Sequence, residues 1–169
     1  MGKKNFVILF FVLLVLTFFP LDSYAESKLS PIRETSITIQ TSIFSRHWSN
    51  NYRYNNHHQL LGLEYHKSRK KFFGVVYFKN SFNQPCYYFY IGKRYYLKSL
   101  VPQISVYSKI TSGIVHGYDD ENGKYDGSLN KLKTFPAIVP GLELEYKIFT
   151  VSLIIYASAG FMVTSGMKF

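Results

Sequence analysis

The sequence predicts an all-β fold, an eight-stranded antiparallel transmembrane β-barrel, and three observations support this prediction. Apolar and polar residues alternate with a period of two in segments of about ten residues, the pattern of strands with one apolar face. Beyond residue 25, no apolar stretch approaches the ~20 residues that a transmembrane helix requires. Long and short connections alternate between the segments, which favours a barrel that crosses a membrane.

Residues 1–25, "MGKKNFVILFFVLLVLTFFPLDSYA", have the pattern of a secretory signal peptide. Lys3 and Lys4 precede an apolar run over residues 6–19, and small residues surround a plausible cleavage point after Ala25. The apolar run is short for a membrane anchor, so we expect the peptide to be cleaved.

The mature chain would comprise residues 26–169, a single barrel domain that starts with a short periplasmic segment at 26–35. Of 20 basic and 10 acidic residues, the signal peptide holds two and one, which leaves a mature net charge of +9. A basic exported chain favours phospholipid headgroups and lipopolysaccharide phosphates over nucleic acid as partners. The one cysteine, Cys86, cannot form an internal disulfide, so packing or a membrane must stabilise the fold.

The alternation is clearest in the C-terminal third of the chain. Leu142, Leu144 and Tyr146 fall on one face of a strand, while Glu143 and Glu145 fall on the other. Similar strands follow in "IFTVSLIIY" and in the last segment, which ends on an aromatic residue as the terminal strands of outer-membrane barrels do. The five earlier predicted strands are residues 37–44, 59–67, 72–79, 87–97 and 103–115. Eight is an even number of strands, which can close without edges.

The connections form two sets. With the chain starting in the periplasm, the first, third, fifth and seventh connections lie outside, and most of them are long. The outer connections are 45–58, 80–86, 116–134 and the short 157–160; the tight inner ones are 68–71, 98–100 and the step near Lys147. This asymmetry is typical of outer-membrane barrels. An exported soluble sandwich or ligand-binding barrel remains the alternative, since alternation alone also describes those folds.

Polar residues end two predicted strands at the same outer rim. His47 ends the first strand, and Asn80 and Ser81 end the third. Acyl transfer requires a base near the attacking hydroxyl and a donor near the developing oxyanion, and these residue types can supply both. The alternatives are a strand-end polar residue for His47 and ordinary turn chemistry for Asn80 and Ser81.

Six motifs occur in an order that resembles the PagP-type lipid A palmitoyltransferase family: "SRHW", "YRYNNHH", "LLGLEY", "FFGVVYFKNSF", "GIVHGY" and "FPAIVPGLELEY". The likeness covers most of the mature chain, from about Ser42 to Phe169. It implies an outer-membrane barrel of a Gram-negative bacterium, preceded by a short amphipathic helix, that moves a palmitoyl chain from a phospholipid to lipid A. Phospholipid and lipid A are the partners we expect, with a monomeric protein; nothing in the sequence implies a cofactor.

By position, the essential histidine of this family matches His47, and its serine after the third strand matches Ser81. The acidic residue before that serine is replaced here by Asn80, which cannot accept a proton or stabilise an imidazolium by charge. The motif at 54–56 has also lost its acid, and acids at 119–121 are the candidates to supply charge instead. Two functions follow: an acyltransferase with His47 as base, and a noncatalytic barrel of the family that binds lipid.

The predicted interior is partly apolar. Both faces of the third strand are apolar, with Phe73, Val75 and Tyr77 on one side and Phe72, Val76 and Phe78 on the other. This suits a strand with lipid outside and either an acyl-chain cavity or a packed small barrel inside. Pro136 and Pro140 bracket the predicted start of the sixth strand, where they should interrupt hydrogen bonding. In the resembling family, proline-flanked gaps in the wall admit lipid sideways; a strand start after a long loop is the alternative.

Acidic residues with the inward phase need partners inside a barrel. Glu64, Glu143 and Glu145 are therefore expected to form a structural network with cations such as Lys168. The histidines His57, His58 and His66 do not support a metal site, because sequential residues point to opposite faces of a strand and no cysteines accompany them.

Overall fold

The computed structural model describes residues 35–48, 59–125, 128–156 and 159–169. Eight strands in these residues form one closed antiparallel barrel, in which each strand pairs with its sequence neighbours and the first pairs with the last. The strands are β1 (Ser36–His47), β2 (Leu60–His66), β3 (Lys71–Lys79), β4 (Pro85–Val101), β5 (Ile104–His116), β6 (Thr134–Tyr146), β7 (Phe149–Tyr156) and β8 (Gly160–Lys168). The predicted fold class and the eight predicted strands are confirmed. The signal peptide, the motif at 54–56 and the histidines at 57–58 lie outside the described residues.

The fourth strand and the connection before the sixth differ from the prediction. β4 continues through 98–100, which were predicted as a turn, because two irregularities in its pairing with β5 let the ladder run on to Val101 and Ile104. The connection between β5 and β6 contains a short helix, α1 (Ser128–Leu132), that no pattern in the sequence predicted.

β6 begins at Thr134, so Pro136 and Pro140 lie inside the strand rather than at its start. Both prolines pair with β5, as partners of Ile114 and Ile110. The ladder between β6 and β7 begins only at Gly141. A proline is tolerated there because this part of β6 is an edge on its β7 side.

Among the described residues, the wall is incomplete between β6 and β7. These strands pair only from Gly141 to Tyr146, and beyond Gly141 the outer part of β6 pairs with β5 alone within the described residues. The described pairing of β1 with β2 runs from Ser36 to Thr41, and the outer part of β1 continues its pairing with β8. The gap between β6 and β7 lies toward the end of the barrel that carries the long connections.

The two ends of the barrel are named here by their connections. The turn rim carries the tight connections at 67–70, 102–103 and 147–148, and the loop rim carries the connections that follow β1, β3, β5 and β7. Among the described residues, no helix is long and apolar enough to cross a membrane.

Alternation sorts the side chains of each strand as the sequence predicted. Leu142, Leu144 and Tyr146 are exposed on the outside of β6, while Glu143 and Glu145 are buried inside. Large apolar side chains cover the outer surface of the other strands as well; exposed examples are Ile37, Ile39, Leu61, Leu63, Phe73, Phe89, Ile91, Ile114, Phe149 and Val151.

The interior has two halves. The ionic half, toward the turn rim, contains buried charged residues: Glu64, His66, Arg94, Lys109, Glu143, Glu145 and Lys168. The apolar half, toward the loop rim, is lined by Leu60, Val76, Tyr88, Val115 and Met162. The predicted interior network of acids with Lys168 is confirmed, and Arg94 and Lys109 complete it.

The ion pairs of the ionic half join five strands, one of them β8, whose Lys168 Nζ donates to Glu145 Oε2 at 2.9 Å. Arg94 Nη1 donates to Glu143 Oε1 at 2.8 Å and to Glu145 Oε2 at 2.7 Å. Lys109 Nζ donates to Glu143 Oε2 at 2.9 Å and to Glu64 Oε2 at 2.8 Å. Each cation thus links two carboxylates, which satisfies the charges that the strand alternation buries.

Candidate functional site

His47 and Ser81 meet at the loop rim. The Nε2 atom of His47, the last residue of β1, lies 2.7 Å from Oγ of Ser81 in the turn after β3. β2 lies between these two strands in the barrel, and its pairing with β1 within the described residues runs from Ser36 to Thr41. Both side chains are half-buried. A histidine nitrogen and a hydroxyl at this distance form the contact expected of a base and the group that it activates or orients.

Asn80 organises the turn that presents Ser81. Its side chain is almost fully buried, and its Oδ1 atom accepts hydrogen bonds from the backbone N–H groups of Phe82 (2.9 Å) and Gln84 (3.0 Å). Its Nδ2 atom donates to Gln84 Oε1 at 2.8 Å. The turn closes on Asn83, whose backbone has a positive φ of 64°. The Asn80 amide therefore shapes the turn through these contacts. Asn80 affects the site by holding Ser81 in position.

Gln84 connects this turn to the connection between β5 and β6. Its Oε1 atom accepts from the N–H of Asp119 at 3.2 Å, and its Nε2 atom donates to the carbonyl of Asp119 at 2.8 Å. The same Nε2 donates to Glu121 Oε1 at 3.2 Å. Asn130 in α1 donates to the Asp119 carbonyl at 2.9 Å, which ties the helix to the same point. The sequence contained no signal for Gln84 or Asn130, because their partners are 35 and 11 residues away in the chain.

Two acids of this connection contact the turn through Gln84. Asp119 does so through its backbone, and Glu121 does so through its carboxylate. The Asp119 carboxylate accepts from the N–H of Glu121, which lowers its pKa, and Lys133 adds to the effect. The Glu121 carboxylate has a lowered pKa because Lys124 and Gln84 donate to it. Burial raises the pKa of Tyr118 to about 12. At neutral pH the carboxylates of Asp119 and Glu121 are therefore ionised, and that of Glu121 is bonded to Gln84.

An apolar cavity of about 380 Å³ opens beside the His47–Ser81 pair. It extends inward along the apolar half as far as Glu64 and Lys109, where the ionic half begins. Its lining also includes Ile138, which is exposed on the outside of β6 at the gap between β6 and β7. Of the two apolar faces of the third strand, the one with Val76 and Phe78 lines the cavity. The cavity thus has an apolar body, a polar floor and a side opening, which suits an extended hydrocarbon chain.

A metal site finds no support in the described part of the chain, where no group of three or more histidine, cysteine, aspartate or glutamate side chains could hold an ion. His66 lies inside the barrel with its Nε2 atom 3.3 Å from Glu64 Oε2, as part of the ionic half.

The fold and this site define a class of protein: a closed eight-stranded β-barrel with an apolar outer surface, an internal apolar cavity and a histidine–serine pair at its mouth. No protein-family model and no curated protein matches the chain.

Solved structures that match include a de novo designed transmembrane β-barrel, with 15% identity and a TM-score of 0.48 over 79% of this chain and 93% of the other. The N-terminal β-barrel domain of OprF from Pseudomonas aeruginosa has 10% identity and a TM-score of 0.46 over 79% of this chain and 97% of the other. Ail, the attachment invasion locus protein of Yersinia pestis, has 12% identity and a TM-score of 0.35 over 80% of this chain and 97% of the other. Likenesses of this degree say nothing about the activity of the chain.

Proposed function

We propose that this chain is a lipid A acyltransferase of the bacterial outer membrane, which moves an acyl chain from a phospholipid to lipid A. Palmitoyl is the first candidate for the transferred chain. The observation that carries the proposal is the 2.7 Å contact between His47 and Ser81 at the mouth of an apolar cavity. The resemblance of the sequence motifs to the PagP-type family supports the same function.

The outer surface supports placement in a membrane. On β3, the outward residues Phe73, Val75 and Tyr77 lie between Lys71 and Lys79. The eight residue steps between the two lysines span roughly 27 Å along the strand, and a tilt of about 40° reduces this to roughly 20 Å of height. Outer-membrane barrels carry an apolar band of about 25 Å, so the cationic ends of β3 match the two headgroup layers.

In the proposed reaction, His47 acts as the general base. It takes the proton from a lipid A hydroxyl while that oxygen attacks the ester carbonyl carbon of the phospholipid. The tetrahedral intermediate collapses when the ester bond to the glycerol oxygen breaks, and the imidazolium returns its proton to that oxygen. The products are acylated lipid A and a lysophospholipid, so that no further reactant is needed.

Ser81 and Asn80 have supporting roles in this scheme. The Ser81 hydroxyl either orients the imidazole through their hydrogen bond or donates to the carbonyl oxygen as negative charge develops on it. Asn80 holds Ser81 through the turn. Because Asn80 replaces an acid, the imidazolium lacks the adjacent carboxylate that this position supplies in the resembling family.

The cavity would hold the transferred chain. Its lining is mostly apolar, and the incomplete wall between β6 and β7 gives a lipid a lateral route from the bilayer. The ester bond of a lipid whose tail lies in the cavity would lie near the loop rim, at the level of His47 and Ser81. Sequestering the tail would orient the ester for attack.

The test is mass spectrometry of lipid A from cells that express the intact protein or its His47→Ala variant. We expect a mass gain of one acyl chain with the intact protein and none with the variant. His116→Ala is a matched control, because the exposed His116 Nδ1 contacts Thr134 Oγ1 at the same 2.7 Å at the same rim. If both histidine variants keep the mass gain, His47 is not the base.

A noncatalytic lipid-binding barrel is the second candidate. It is favoured by Asn80, whose amide is used in the turn rather than placed as a charged partner of His47. In that case a protein that is folded in the outer membrane adds no acyl chain to lipid A, and His47→Ala leaves its phenotype intact.

A further inference from the structure

Three lysines lie side by side on the outside of the barrel at the turn rim. Lys71 on β3 is the direct cross-strand partner of Lys93 on β4, and the N–H of Lys67 bonds to the carbonyl of Lys71 at 3.0 Å. Each of the three is exposed. The set of Lys67, Lys71 and Lys93 is called here the lysine row.

The lysine row is unfavourable in isolation. Like charges directly opposite each other on adjacent strands repel, and the isolated fold gains nothing from placing them so. None of the three side chains forms an ion pair within the described residues. The described carboxylates lie elsewhere: Glu64, Glu143 and Glu145 point into the barrel, and Asp119, Asp120 and Glu121 belong to the loop rim.

The surroundings of the row increase its positive charge. Arg69 and Lys70 occupy the turn between Lys67 and Lys71, and Lys98 lies farther along β4. The local potential is therefore positive over three neighbouring strands. Such a patch attracts an anion strongly when the surrounding medium is partly apolar.

Apolar side chains lie directly next to the row on the bilayer side. Tyr65 and Phe73 stack against each other with ring centres 5.1 Å apart, and Ile91, two residues from Lys93, is 70% exposed. Lysine stems can lie along such a surface while the ammonium groups reach the headgroup layer. In the proposed membrane placement, the ammonium groups of these lysines lie at the depth of the lipid phosphates.

We propose that the lysine row binds the phosphate of an anionic phospholipid in the leaflet around the turn rim. Neighbouring strands lie about 4.8 Å apart, so that one phosphate group between two adjacent lysines can accept hydrogen bonds from both. The bound phosphate removes the repulsion between the lysines and fixes the barrel relative to that leaflet. The inference rests on the membrane placement in the proposed function and is independent of acyl transfer.

The experiment uses the folded mature protein in vesicles of phosphatidylcholine with a minor share of phosphatidylglycerol. Native mass spectrometry after mild detergent extraction measures which lipid stays bound. The test variant carries Lys67→Gln, Lys71→Gln and Lys93→Gln. The control variant, Lys79→Gln with Lys124→Gln and Lys131→Gln, removes the same charge at the loop rim.

We expect the intact protein and the control to retain phosphatidylglycerol above its share. In the test variant the relative affinity for phosphatidylglycerol should fall by roughly fivefold for each lysine removed, the equivalent of the attraction of one basic residue to an anionic membrane surface, so that the retained share approaches the share in the vesicles. Equal enrichment in all three proteins would overturn the proposal. Displacement of the bound lipid by added inorganic phosphate would support the proposal, because it would show that the site recognises the phosphate group rather than the lipid tails.

Failure of the two proposals can be told apart. A protein that inserts into the vesicles but shows no lipid preference contradicts the lysine row only. A protein that does not insert contradicts the membrane placement itself, and the lipid A measurement tests acyl transfer separately. Fluorescence of the single tryptophan, Trp48, reports whether each variant is folded.

Discussion

The ionic and the apolar halves of the barrel interior differ in how they are held together. In the ionic half, all eight strands have both neighbours in the ladder, and Arg94 and Lys109 each bridge two carboxylates. In the apolar half, the described part of the wall is interrupted between β6 and β7, and an open cavity takes the place of packed side chains. One half is closed and cross-linked, while the other is open at the loop rim and at the side of the barrel.

This difference indicates a division between stability and access. A small barrel that is open at one end needs another source of rigidity, and buried ion pairs with all partners present can supply it. The polar floor of the cavity also separates it from the turn rim. Glu64 and Lys109 form this floor and at the same time belong to the ionic half. The predictions below test whether the two halves are as independent as this division implies.

The largest effect on stability is expected for Glu143→Ala in the ionic half. The change leaves Arg94 and Lys109 with one carboxylate each, and breaking a buried pair in this way costs about 3–5 kcal/mol. Urea unfolding in lipid vesicles, followed by Trp48 fluorescence, measures the loss.

Glu121→Gln is the control for this prediction. Glu121 is an exposed acid whose ion pair with Lys124 lies at the loop rim. Removing an exposed pair of this kind should leave the free energy of unfolding nearly unchanged. Equal losses in both variants would contradict the special role of the ionic half.

A large effect on function with little effect on stability is expected for Ala137→Phe. Ala137 faces the cavity from the open part of β6, so the added ring takes up space that a lipid tail would use. Acylation of lipid A and the amount of co-purified lipid should both fall. The free energy of unfolding should change by about 1 kcal/mol or less, since the cavity has room for the ring.

Val151→Phe is the matched control for the cavity prediction. Val151 is exposed on the outside of β7, where a larger apolar side chain meets bilayer rather than cavity. It should leave both acylation and bound lipid unchanged. A similar loss of activity in the two variants would show that the cavity is not where the chain binds.

A smaller effect is expected for Gln84→Ala, which disconnects the Ser81 turn from the connection that contains Asp119 and Glu121. The His47–Ser81 contact itself remains, but the turn loses the partner of Asn80. Misplacement of a positioned group should lower kcat on the order of tenfold, with KM for the donor lipid nearly unchanged. Gln103→Ala, in the exposed tight turn between β4 and β5, serves as control and should have no effect.

Much of this architecture could be predicted because strand alternation is a local property. The inward phase of Glu143 and Glu145 follows from two-residue periodicity, and the shared level of His47 and Ser81 follows from counting strands. Gln84 could not be predicted, since its role depends on where a connection 35 residues away comes to lie. The placement of Pro136 inside β6 was also missed, because a proline is compatible with a strand wherever one neighbour is absent, and the sequence does not reveal where the wall is incomplete.

The smallest predicted effect concerns pH at the loop rim. The pKa of Asp119 is lowered below its ordinary value of 3.8, first because the N–H of Glu121 donates to its carboxylate at 2.9 Å. A carboxyl whose pKa is lower in the folded state stabilises the fold above its unfolded pKa, and this contribution is lost as the pH falls through the folded pKa. The NMR shift of the Glu121 amide should therefore titrate with a midpoint below 3.8 and should not show this step in Asp119→Asn. A midpoint at or above the ordinary value would mean that the connection is not ordered around Asp119, and the link from Glu121 through Gln84 to the Ser81 turn would lose its support.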